Sequence, residues 1–208
     1  MLEKLIALLS GFVIATISSM GYGGIVVLMA IESACIPLPS EVIMPFAGYL
    51  VFTGEFTLWG AALAGAVGCV LGSLVAYAVG ASGGRSLVRR YGRYVLISHR
   101  DLAQADLWFT RHGDITVFVG RLLPVIRTFI ALPAGISRMP MGRFVFYTFV
   151  GSYIWCYGLA WVGRTMGENW DTLGVYFHRF DAVIAAVLLA GAAWYVRRHW
   201  KSRLDEGE

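Results

Sequence analysis

The chain has 208 residues, 58% of them hydrophobic and only 14% charged, with a formal net charge of +4. Ordinary soluble proteins carry about 25% charged residues, and a mean hydropathy of +0.67 suits a chain surrounded largely by lipid, which argues against a cytosolic enzyme. The three cysteines, Cys35, Cys69 and Cys156, lie in apolar segments without motif spacing, and the four histidines are scattered, so a disulfide scaffold and a metal site are both excluded.

Leu5 to Ser19 is apolar but short and is followed by Gly21-Tyr22-Gly23-Gly24, so it either crosses the bilayer or lies in the headgroup region. Glu3 and Lys4 make a weak signal n-region, and Ile17-Ser18-Ser19-Met20 lacks a small-residue cleavage pattern. The first helix is expected to be retained. From Ile31 to Val51 the chain carries Glu32 and Glu41 with Pro37, Pro39 and Pro45, and three prolines in nine residues break a continuous helix. Trp59 to Gly80 then runs 22 residues without a charge, enough to cross a hydrocarbon core of about 30 Å. Its small residues recur every fourth position from Gly60 to Gly84, a strip that lets another backbone approach closely and to which no chemistry is assigned.

Residues 81–112 form a basic connection in which Arg85, Arg89 and Arg93 share one helical face. Ser98-x-x-Asp101 there can cap a helix presenting Leu102, Ala105 and Phe109. It is expected on the cytoplasmic membrane surface, held by anionic lipid. Ile115 to Ile136 carries Arg121 and Arg127 with Pro124 and Pro133, and each arginine at mid-bilayer costs about 2.5 to 3.5 kcal/mol on insertion scales. Phe144 to Gly163 is a second charge-free span, and Ala182 to Val196 a shorter last one ahead of a cytoplasmic tail, 197–208.

Broken backbone at membrane depth is tolerated where it lines a cavity inside the protein, so 31–51 and 115–136 read as re-entrant helical hairpins. Pro37, Pro39 and Pro124, with Gly48 and Gly135, are assigned to their turns. Pro37 and Gly48, like Pro124 and Gly135, are eleven residues apart, both stretches end in Ala-Gly, and each hairpin precedes a span ending Val-Gly. Hairpin and span thus occur twice in one membrane domain, in a first repeat over 20–80 and a second over 113–163, as in transporter folds. If the basic connection is cytoplasmic, thirteen of the seventeen Lys and Arg lie inside, and the two hairpins enter from opposite sides as an inverted repeat. The expected fold is an all-α polytopic membrane protein with about three or four transmembrane helices besides the hairpins.

Ionisable residues at membrane depth mark a site. Arg121 and Arg127 present planar forks of donors suited to a phosphate, beside the free N–H groups of broken helix ends. Glu32 and Glu41 are the candidates for proton coupling, and either can pair with either arginine. A pair of salt bridges that merely hold the hairpins together is the competing structural reading.

At these residues the chain resembles the DedA family, whose core is also called the VTT or SNARE-associated domain. The match runs through Glu32-Ser-Ala-Cys-Ile-Pro37-Leu-Pro39-Ser-Glu41, Gly80-x-x-x-Gly84-Arg85 and Phe118-Val-Gly120-Arg121-Leu-Leu-Pro124-Val-Ile-Arg127-Thr128. It continues from Ala134 to Phe144, covers roughly residues 20 to 165, and departs at Ser40, where many members have Gly. In the family the acids matching Glu32 and Glu41 and the arginines matching Arg121 and Arg127 are regarded as essential.

The resemblance implies lipid translocation driven by the proton motive force, with no cofactor, in a bacterial cytoplasmic membrane. Two membrane arginines favour an anionic headgroup, so the expected substrate is undecaprenyl phosphate, returned from the outer to the inner leaflet. A flippase or scramblase for phosphatidylethanolamine or other glycerophospholipids is the alternative. A membrane phosphatase acting on a polyprenyl diphosphate, or a proton or ion carrier, would be a different class. The expected partners are membrane and phosphate-headed lipid, with no nucleic acid and with homo-oligomerisation left open.

Overall fold

The computed structural model describes residues 2–36, 38–84, 99–124 and 126–167, all of them helical or in the short connections between helices. The expected last span, the tail, Pro37 and the arginines at 85–93 lie outside the described residues. Among the described residues eight α-helices follow one another: α1 (Leu2–Met20), α2 (Tyr22–Ser33), α3 (Ser40–Phe52), α4 (Leu58–Val79), α5 (His99–Arg121), α6 (Ile126–Phe129), α7 (Ala131–Ile136) and α8 (Met141–Thr165).

Among the described residues two helices are long and apolar enough to cross a membrane, Leu58–Gly83 and Met141–Thr165. The first begins where the Thr57 hydroxyl accepts the Gly60 N–H at 3.2 Å and ends in a π-helical turn, Gly80–Gly84. The second starts immediately after Pro140, whose fixed φ suits a helix start. They run antiparallel, since Trp59 meets Tyr157 with ring centroids 5.1 Å apart and Tyr77 meets Phe144 at 4.8 Å.

The first proline-rich segment breaks as its prolines require, but its first arm begins well before residue 31. The chain is helical from Tyr22 to Ser33, turns through Cys35 with φ 68°, and resumes at Ser40 after Pro39. Pro45 is tolerated inside α3, where it removes the helix bond that would end on the Glu41 carbonyl. In the second segment α5 kinks at His112 and ends at Arg121, and Pro124 lies in the break before two short helices, α6 and α7.

Gly48 and Gly135 do not sit at turns. Gly48 lies inside α3, where a Cβ would run into the Ala160 carbonyl of α8, and Gly135 lies inside α7, where a Cβ would run into the Tyr77 carbonyl of α4. The contacts are reciprocal: Gly163 is pressed against Pro45, and Gly80 against Leu132. Each broken segment therefore packs the backbone of its second arm onto the span that follows the other segment, through glycines chosen for close approach. The small-residue strip of α4 does the same for α2, with Gly68 against Val26 and Gly72 against Ala30.

Candidate functional site

Glu32, Glu41, Arg121 and Arg127 are brought to one region, and they do not form two equivalent pairs. Glu32 closes α2 and Arg127 sits on α6, and their side chains meet at 2.8 Å. Glu32 also accepts from Thr128 Oγ1 and from Ser33 Oγ, each at 3.3 Å. Both members of the pair are buried, with Glu32 3% and Arg127 2% exposed. The Arg127 guanidinium lies over the Trp155 ring of α8, 5.3 Å from its centroid, a cation–π contact that sets the plane of the fork. The Cys35 thiol donates to the Thr128 carbonyl at 3.5 Å and ties the first break to the second.

Arg121 is held differently. It is 1% exposed, yet no carboxylate among the described residues lies within 4.0 Å of it. Its Nη2 donates instead to the Ser73 hydroxyl of α4 at 2.6 Å, and that hydroxyl donates onward to the Cys69 carbonyl. Gly151 of α8 gives the stem room, since a Cβ there would crowd the Cβ of Arg121. Glu41, at the start of α3, is half-buried and accepts from Ser40 Oγ at 3.2 Å. It too has no ion-pair partner among the described residues, although Arg127 and Glu32 are within electrostatic reach.

Several polar atoms of the arginines and of α8 are buried without a partner. Arg121 Nε, Arg127 Nη1, Trp155 Nε1 and Thr148 Oγ1 are buried without a hydrogen-bond partner. The first three can only donate. Thr148, Gly151, Ser152 and Trp155 share one face of α8 by their spacing of three and four residues. The sequence reading singled out the arginines and acids but not Ser73, Ser33, Thr148 or Trp155. The signal for the α8 residues was available, in polar side chains recurring at i, i+4 and i+7 inside a charge-free span.

Apolar helices of membrane-crossing length around a buried cluster of charged residues define an integral membrane protein. A family model of the VTT domain matches residues 38–165, and the chain belongs to that family, the DedA family of membrane proteins. It is 37% identical over 177 residues, covering 85% of this chain and 78% of the relative, to "Uncharacterized membrane protein YkoX" of Bacillus subtilis. It is 34% identical over 159 residues to "Undecaprenyl phosphate transporter A" of the same organism, covering 76% and 78% of the two chains. A Lactococcus lactis relative, 32% identical over 181 residues and 85% of each chain, is called "Alkaline phosphatase-like protein". No solved structure matches the chain.

Proposed function

We propose that this membrane protein carries undecaprenyl phosphate from the outer to the inner leaflet of a bacterial cytoplasmic membrane, coupled to proton entry. The observation that carries this reading is Arg121, a buried cation whose hydrogen-bond partner is a hydroxyl. An isolated buried charge is costly, and an anionic headgroup would compensate it as no carboxylate among the described residues does. The transporter name of a relative that covers three quarters of the chain supports transport over catalysis. The phosphatase-like name of another gives no residue in this site a nucleophile's role.

Arg127 differs from Arg121 in being neutralised already by Glu32. Protonation of Glu32 would remove the carboxylate charge, weaken its bond to Nη2 and release the fork toward the phosphate. The headgroup would then lie between Arg121 and Arg127 while its polyprenyl tail stays in lipid. Glu41, with no ion-pair partner among the described residues, would exchange the proton with one side of the membrane. The two broken segments act as re-entrant hairpins of an inverted repeat. Rocking of one repeat against the other at the Gly48–Ala160 and Gly135–Tyr77 seams would expose the site alternately to each side.

The test is transport by the purified protein in liposomes, comparing undecaprenyl phosphate with phosphatidylethanolamine, with and without a proton gradient, against Arg121→Ala. Gradient-dependent movement of the polyprenyl phosphate that Arg121→Ala abolishes is the expected result. Equal movement of both lipids without a gradient would make the protein a scramblase and overturn the reading.

A further inference from the structure

We infer that α8 supplies the neutral half of the headgroup site: the indole N–H of Trp155 and the hydroxyl of Thr148 hydrogen-bond the terminal oxygens of a phosphate monoester. This rests on the headgroup reading above and assigns its selectivity to residues outside the charged cluster. Trp155 already faces Arg127 with its ring, while its Nε1–H is buried and unpartnered. Thr148, fully buried, lies two turns earlier on the same face, and its hydroxyl is likewise unpartnered. Gly151 between them is the point where Arg121 packs on α8.

A buried donor without an acceptor is costly, and this site concentrates several. Arg121 Nε and Arg127 Nη1 supply two further N–H groups, so these three helices, α5, α6 and α8, carry four buried, unpartnered donors. A monoester phosphate brings three terminal oxygens, all acceptors, and satisfies such a set. A phosphodiester brings two, and an ethanolamine headgroup adds an ammonium whose own donors find few acceptors here. Because the α8 donors are uncharged, they add recognition without adding positive charge that a singly protonated phosphate would leave uncompensated.

The experiment is concentration-dependent transport in liposomes by the full-length chain, with undecaprenyl phosphate as substrate and phosphatidylglycerol as the phosphodiester competitor. Trp155→Phe keeps the ring over Arg127 and removes the N–H, and Thr148→Val keeps the shape and removes the hydroxyl. Each is expected to raise the half-saturating concentration of the monoester about ten-fold, to leave the maximal rate unchanged, and to narrow the preference over the diester. Unchanged half-saturation in both variants, with Arg121→Ala and Arg127→Ala inactive, would overturn the inference and leave the headgroup reading standing. A lower maximal rate at unchanged half-saturation would also overturn it, marking Trp155 as a support for Arg127. Full transport by the arginine variants would remove the headgroup reading and this inference together. If Trp155→Phe does not fold, Thr148→Val decides alone.

Discussion

The carboxylate of Glu32 and the guanidinium of Arg127 lie 2.8 Å apart although 95 residues separate them along the chain. The bond joins the end of α2 to α6, so it closes the two broken segments on each other, and Thr128 and Ser33 reinforce it from either side. Removing one member of a buried pair leaves the other uncompensated, at about 3 to 5 kcal/mol. Glu32→Ala and Arg127→Ala should each lower the unfolding temperature in detergent well below the wild type. The double variant should lose less than the sum of the two, and strict additivity in that cycle would show that the pair is not coupled.

Glu41 makes no such pair among the described residues, so Glu41→Gln should change stability by less than about 0.5 kcal/mol while uncoupling transport from the proton gradient. The check is thermal unfolding alongside liposome transport with and without an imposed gradient. A stable Glu41→Gln protein that still responds fully to the gradient would transfer the coupling role to Glu32 alone.

Arg127→Lys keeps the charge but loses the planar fork that bonds Glu32, stacks on Trp155 and leaves Nη1 free for a ligand. Transport should fall by an order of magnitude or more, with the protein still folded, because an ammonium cannot hold these geometries together. Full transport by Arg127→Lys would show that charge suffices and that the fork does not matter.

Ser73→Ala removes the hydroxyl that holds Arg121 Nη2. Leaving a buried charged donor unsatisfied costs about 1 to 3 kcal/mol, so the variant should unfold at lower temperature. Binding of undecaprenyl phosphate should restore part of that stability by neutralising Arg121, and a stabilisation smaller than in the wild type would speak against this role for the arginine.

The glycine seams predict a stability contrast. Gly163→Leu and Gly72→Leu drive side chains into the backbone at Pro45 and Ala30, and overpacking of this kind costs about 1 to 3 kcal/mol or more. Gly142→Ala, where an added Cβ meets nothing within 4 Å, should unfold with the wild type. The yield of monodisperse protein and its unfolding temperature distinguish the two classes.

Much of this architecture is written along the chain, because the bilayer imposes a one-dimensional rule. Charge-free runs at Trp59 to Gly80 and Phe144 to Gly163 anticipate Leu58–Val79 and Met141–Thr165 within a few residues. Glu32, Glu41, Arg121 and Arg127 stand out because ionised groups are expensive at that depth, whatever the fold. The prolines foretell the two breaks because a missing N–H is a local property, although Pro45 and Pro133 are accommodated inside helices. Pairing is not local. That Glu32 takes Arg127 and leaves Arg121 to Ser73 depends on which faces of α2, α4, α5 and α6 meet, over separations of 95 and 48 residues. Gly48 and Gly135, which look like turn residues in a proline-rich run, become helix-packing residues because another backbone passes against them. Trp155 and Thr148 read as ordinary members of an apolar span until packing buries their polar atoms without a partner, since hydrogen-bond satisfaction is settled only when neighbours are in place.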